Sequence, residues 1–157
     1  MEITFIVVGK TNASFLQKGE DEYCKRLKHY CKFSYETIPD LKNAKKLSEN
    51  QKKAEEGTLI LKRIQPNDYI VLLDERGKEQ TSKQLARFVQ QHQMQATRRL
   101  VFIVGGAYGF SDEVYKSANQ KLSLSSMTFS HQMVRLFFLE QLYRAYTILK
   151  GEPYHHG

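Results

Sequence analysis

The residues with chemical potential gather in the second half of the chain. The turn Gly105-Gly106-Ala107-Tyr108-Gly109 follows directly on Leu100-Val101-Phe102-Ile103-Val104. An apolar run of that length, rich in β-branched residues, reads as a buried strand of a parallel sheet. Ligands of open α/β sheets gather at the carboxyl ends of such strands. Adjacent glycines let the main chain approach a ligand, because no Cβ intervenes. The turn is not a dinucleotide fingerprint, since Val104 stands where G-x-G-x-x-G needs a glycine. It is not a P-loop either, because no Gly-Lys-Ser/Thr follows. It marks a small-molecule site or a plain strand-to-helix turn.

Further along, His131 and Arg135 lie four apart and share a helix face. They form either a solvated helix end or a cationic corner for an anionic substrate. Arg144 fits both readings. The tail holds Tyr154, His155 and His156. Such residues stack on and hydrogen-bond to an exposed base, although a frayed terminus is the commoner outcome. The segment 122–129 is uncharged and half apolar. Its backbone groups need partners, from Ser125, Ser126 and Thr128 or from a ligand. No G-x-S-x-G elbow is present, and Cys24 and Cys31 lie far from the glycine turn, which argues against covalent catalysis. The two cysteines read as reduced thiols, and no ligand cluster for a metal is expected.

The elements that must position these groups follow from pattern. Ile3 to Val8 reads as a first strand closed by Gly9. Phe15, Leu16, Tyr23, Leu27 and Tyr30 mark a helix capped by Asn12 or Ser14. Phe33, Tyr35 and Ile38 mark a second strand, ended by Pro39. Residues 42–53 carry five lysines and serve either solubility or phosphate contact. A helix is expected over 48–63, ended by Pro66, then a strand over 69–73 closed by Asp74, with Gly77 in the following loop. Thr81 with Gln84 predicts a capping box. Ser111 followed by Asp112 and Glu113 predicts another helix start. Leu122 and Leu124 mark a short strand. The last helix is expected over 131–150, stopped by Gly151. It is apolar nearly all round, so it must be covered on several sides, and a second subunit is the expected last cover. Strands alternating with helices predict an α/β fold with a mostly parallel sheet flanked by helices, in a single domain over residues 1–157.

The chain has 157 residues, 41% hydrophobic and 26% charged, a globular profile. No run approaches the roughly 20 apolar residues of a membrane span. The strand-like start lacks the basic opening of an export signal, so a cytoplasmic location is expected. The formal net charge is +7, spread along the chain. A basic surface favours a polyanion such as nucleic acid.

Val104-Gly105-Gly106 with Gly109, the segment 122–129, His131-Gln132-Met133-Val134-Arg135, Glu140-Gln141-Leu142-Tyr143-Arg144-Ala145 and Pro153-Tyr154-His155 together resemble one family. It is the 23S rRNA pseudouridine N3-methyltransferase family, of the SPOUT or α/β-knot superfamily. The resemblance covers the whole chain and is most specific in its C-terminal motifs. It implies a C-terminal trefoil knot that binds S-adenosylmethionine, a feature no periodicity argument would find. It implies cofactor contacts from Leu73, Gly105, Leu124, Ser125, Ser126, Met127, Thr128 and Phe129. It also implies a homodimer with the site at the subunit interface. The implied substrate is a pseudouridine of helix 69 in 23S rRNA on the assembled 70S ribosome. Arg135 would then stabilise the N3 anion, His131 or His155 would take the proton or orient a water, and Tyr154 would stack on the base or hydrogen-bond to it. The chain departs from the family at Ser130, where proline is usual. Alternatives are a SPOUT enzyme for another RNA such as a tRNA, and a non-enzymatic ribosome-associated factor.

Overall fold

The computed structural model describes residues 1–157. Five strands form one all-parallel sheet in the order β2-β1-β4-β3-β5. They are β1 (Glu2–Val8), β2 (Lys32–Ile38), β3 (Tyr69–Glu79), β4 (Arg99–Val104) and β5 (Gln120–Ser123). The helices are α1 (Ser14–Leu27), α2 (Glu49–Arg63), α3 (Ser82–Met94), α4 (Asp112–Ser117) and α5 (Met133–Leu149).

Side-chain alternation sorts the core into two layers. Ile3, Phe5 and Val7 of β1 join Leu100, Phe102 and Val104 of β4 beneath α1, α3 and α5. Ile6 and Val8 join Val101 and Ile103 on the opposite face, beneath α2 and α4. A sheet covered on both faces explains the near-continuous apolar runs of its central strands.

The capping boxes form at both helix starts that have the residues for them. Ser48 pairs with Gln51 at α2, and Thr81 with Gln84 at α3. Ser111 caps α4. The cap expected for α1 does not form, because Ala13 occupies that position without a side-chain bond. Nearby polar groups bind elsewhere: the Asn12 N–H donates to Gln132 Oε1 at 2.8 Å. The loop after β1 thus holds the segment before α5 through Asn12, and Gln17 of α1 through Thr11 O.

One further expectation changes. Gly77 is not in a loop. β3 runs on to Glu79, and its pairing with β5 shifts between Leu73 and Lys78. A Cβ at Gly77 would come within 2.7 Å of Leu122 N, so glycine lets the two backbones touch. One side of α5 is covered inside the chain, with Phe138, Leu139, Leu142, Ala145 and Tyr146 buried in the same core layer as α1 and α3, while Met133, Val134, Leu136 and Tyr143 are only half-buried. Phe137 remains 41% exposed. Cys24 and Cys31 are free, half-buried thiols, and burial followed by Glu20 and Asp21 pushes Cys24 up to about 12.

Candidate active site

A cavity of about 440 Å³ opens at the carboxyl ends of β3, β4 and β5. Its size is ordinary for a small-molecule site. One wall is the glycine turn after β4, closed by the Gly109 N–H donating to Gly106 O at 3.1 Å. Gly109 takes a left-handed φ of +84°, which favours glycine. The facing wall is the segment after β5, with Leu124, Ser125, Met127, Thr128, Phe129 and Ser130. Val104, at the end of β4, and Leu73, the last residue of the buried run of β3, form the floor with Leu122.

Seven of the eight expected cofactor residues therefore meet at one cavity: Leu73, Gly105, Leu124, Ser125, Met127, Thr128 and Phe129. Ser126 is the exception. Its hydroxyl donates to Glu79 Oε1, away from that wall. The backbone of this segment is short of partners. Met127 N–H donates to Ser125 Oγ at 3.0 Å, whereas the N–H groups of Ser126, Thr128 and Phe129 donate to nothing in the chain. Such main-chain donors, next to an apolar floor, suit a ligand with a flat apolar part and polar edges.

Asp74, Arg76 and Tyr115 also line the cavity, and the residue patterns did not single them out for it. Tyr115 OH donates to Asp74 Oδ2, and Arg76 N–H donates to Asp74 Oδ1 at 2.8 Å. Burial, reinforced by Asp74, pushes the Tyr115 hydroxyl up to about 12. The available signal was position, since Asp74 stands directly after the buried run of β3.

His131 lies on the cavity wall. Burial, then the nearby positive charge of Arg135, holds its imidazole below the usual value, with Asp40 opposing. Arg135 does not join it in the cavity. The guanidinium is fully buried and donates to Val8 O at 2.7 Å, Gly9 O at 2.9 Å and Thr11 Oγ1 at 3.1 Å. Helical spacing put the two residues on one face, but Arg135 is long enough to reach down into the sheet. Arg135 is therefore not placed to meet a substrate anion directly, because its guanidinium is fully buried against the end of β1 and the loop after it.

Tyr154 and His155 are ordered but stand off the cavity of their own chain. Tyr154 OH donates to Glu140 Oε1 at 3.0 Å and lies 3.0 Å from Tyr23 OH. Arg144 donates to Glu140 Oε1 through Nη2 at 2.6 Å and to His155 Nδ1 through Nη1 at 3.1 Å. Its guanidinium sits 4.9 Å from the centre of the Tyr154 ring. Burial, with Tyr23 and Glu140, raises the Tyr154 hydroxyl above its usual range. The tail is therefore a built structure on α1 and α5. A second cavity of about 330 Å³ shares Leu122, Leu124 and Phe129 with the first and reaches Glu140.

The family described as "Predicted SPOUT methyltransferase" matches residues 1–155 of the chain. Proteins named ribosomal RNA large subunit methyltransferase H are similar over almost the full length. The one from Parabacteroides distasonis is 58% identical over 156 residues, 99% of each chain. Those from Christiangramia forsetii and Bacteroides fragilis are 55% and 52% identical over the same share. With an all-parallel α/β sheet, a cavity at its carboxyl end and this match along the whole chain, the protein belongs to the SPOUT methyltransferase family.

Proposed function

We propose that this enzyme transfers a methyl group from S-adenosylmethionine to N3 of a pseudouridine in helix 69 of 23S rRNA, on the assembled 70S ribosome. The observation that carries the reading is the meeting of Leu73, Gly105, Leu124, Ser125, Met127, Thr128 and Phe129 at one cavity. These are the residues on which the family resemblance rests its cofactor contacts, and they are distant in sequence. The cavity fits the cofactor. Leu73, Leu122 and Leu124 offer an apolar slot, the free N–H groups of Ser126, Thr128 and Phe129 offer polar contacts, and Asp74 offers a carboxylate to a cationic centre. Ser126 would serve through its backbone alone. Relatives named as rRNA methyltransferases support the RNA class.

S-adenosylmethionine supplies a methyl group already activated on its sulfonium sulfur. The chain's part is to place the acceptor nitrogen and take its proton. His131 is the cavity residue suited to the proton, because its lowered affinity keeps the imidazole neutral near pH 7. Arg135 acts at one remove, holding the start of α5 and hence His131 against β1. Tyr154 and His155 would reach a cavity only as the tail of a second copy. We therefore retain the homodimer as part of the proposal. Exposed Phe137 and Met127 beside the cavity, with the Phe129 ring tilted against Phe137 at 5.0 Å between centroids, support an apolar contact there. The trefoil knot belongs to the same reading. β5 lies at the outer edge of the sheet, yet α5 returns to bind the end of β1, and the segment between them faces the glycine turn.

The test uses ribosomes from a strain lacking this protein, incubated with the protein and methyl-labelled S-adenosylmethionine. Nucleoside mass spectrometry is expected to find one N3-methylpseudouridine in helix 69. Label appearing in tRNA, or none at all, would overturn the assignment.

A further inference from the structure

The lysine-rich stretch between β2 and the first turns of α2 is not explained by the cavity. Lys42, Lys45 and Lys46 are exposed, and Lys52 and Lys53 partly so. An ordinary solvated face would lace such lysines with acids. Here none of the five makes an ion pair within 4.0 Å, although Glu49 and Glu55 are close in sequence. The other two acids of the region turn inward, with Glu56 still within electrostatic reach of Lys52. Asp40 folds over Gly9, and Glu56 lies against Gly106, where an added Cβ would meet its carboxylate at 2.7 Å. The inward turn of these carboxylates leaves the lysines as the outward charge.

This surface reaches the cavity at Lys52. Lys52 Nζ lies 5.4 Å from the centre of the Tyr108 ring, and Tyr108 belongs to the glycine turn on the cavity wall. The ring is 48% exposed. An accessible aromatic beside unpaired cations is the combination that holds unpaired nucleic acid, with bases stacking on the ring and phosphates meeting ammonium groups. We infer that Lys42, Lys45, Lys46 and Lys52 hold the phosphates of the rRNA strand at the cavity mouth, with Tyr108 stacked on a base beside the target. This rests on the methyltransferase reading above.

The test compares the parent protein with a Lys45→Glu/Lys46→Glu double variant and with Tyr108→Ala and Tyr108→Phe. The lysines stand outside the cavity, so calorimetry should give the double variant the parent's affinity for S-adenosylmethionine. Its KM for 70S ribosomes should rise about tenfold or more with kcat kept. Its binding to protein-free 23S rRNA should weaken, with a salt slope shallower by about 1.5 for two lost phosphate contacts. Tyr108→Ala should raise KM about fivefold, and Tyr108→Phe should restore it by keeping the ring. A double variant that binds rRNA within twofold of the parent, with the parent's slope, overturns the inference. So does a raised KM on ribosomes with unchanged affinity for protein-free rRNA, which would place ribosomal protein on this face. Failure of the functional reading looks different: the parent itself would methylate no ribosome, whatever the lysines do to RNA binding.

Discussion

Arg135 Nη2 donates to the carbonyl of Val8 at 2.7 Å, joining the last helix to the end of the first strand across 127 residues of sequence. The same guanidinium reaches Gly9 O and Thr11 Oγ1, so one side chain sets the loop after β1 against the start of α5. Tyr35, hydrogen-bonded to buried Glu20, lies in the same charged interior. Arg135→Ala would leave three buried acceptors and a void. The expected loss of stability is about 3–5 kcal/mol, from unmet hydrogen bonds and cavity formation together. Urea denaturation measures it, and Arg135→Lys should recover only part, since one ammonium does not span all three acceptors. A loss under about 1 kcal/mol would show that the loop is held by other contacts.

The crossing of β3 and β5 depends on Gly77. An alanine there would press its Cβ against Leu122 N and Lys121 C, both main-chain atoms with little room to yield. Gly77→Ala is expected to cost about 1–3 kcal/mol by overpacking. It should also weaken S-adenosylmethionine binding, because β5 leads into the cavity wall at Leu124. Thermal denaturation and calorimetry test the two effects separately, and full parental affinity would uncouple the crossing from the site.

The Tyr115 to Asp74 hydrogen bond fixes a carboxylate on the cavity wall. Removing the hydroxyl in Tyr115→Phe frees that carboxylate. Cofactor affinity should fall about tenfold, the order of one charge-assisted hydrogen bond. A cycle with Asp74→Asn, read by calorimetry, should show the two changes to be non-additive. Additive losses would mean that the pair does not act as a unit.

Two histidines set the acid side of the pH response. His92 is buried against Tyr69 and Phe88, and burial alone lowers its pKa from about 6.5. His131 is lowered by burial and then by Arg135. Both bind a proton more weakly folded than unfolded, so protons favour the unfolded chain. Their contribution to stability is complete above about pH 6.5 and is lost as pH falls toward the lower folded values. Melting temperatures across that range should drop in the parent and drop less in His92→Gln. If His131 takes the proton, kcat/KM should keep its value to below the ordinary histidine pKa, and His131→Asn should abolish that limb.

The tail is fastened by Glu140, which receives Tyr154 OH and Arg144. Glu140→Gln should loosen residues 153–157 while leaving α5 folded. Methyl transfer to ribosomes is expected to fall about tenfold or more, with cofactor affinity kept. Deletion of 153–157 should do the same more strongly. Ribosome methylation unchanged by the deletion would remove the tail from the reaction.

Much of the architecture was legible in the residues. The apolar runs of β1, β3 and β4 appear as strands, and the Thr81–Gln84 and Ser111 caps form as their side chains dictate. These signals are local, carried by period, burial and short-range hydrogen bonds. The site was legible in two pieces, the glycine turn and the segment 122–129. Their union depended on β5 taking the place beside β3, which no local pattern encodes. Asp74 was read only as the end of a strand, and Arg76 and Tyr115 were not read as site residues, since a hydrogen bond spanning 41 residues leaves no periodic trace.

Arg135 draws the boundary. Residue type and helical spacing settled that an arginine would stand one turn from His131 at the start of a long apolar helix. The same information is compatible with a guanidinium in water or in the core. Packing made the choice: α5 lies close enough to β1 for the side chain to reach three acceptors at the strand end, where its hydrogen bonds offset the loss of water. Likewise Tyr154 and His155 are marked as chemical groups by type alone, while their distance from the cavity of their own chain follows from how the tail folds against α1 and α5. Sequence spacing sets which residues share an element. Only the packed fold decides which of them face one cavity, because that depends on contacts between segments far apart in the chain.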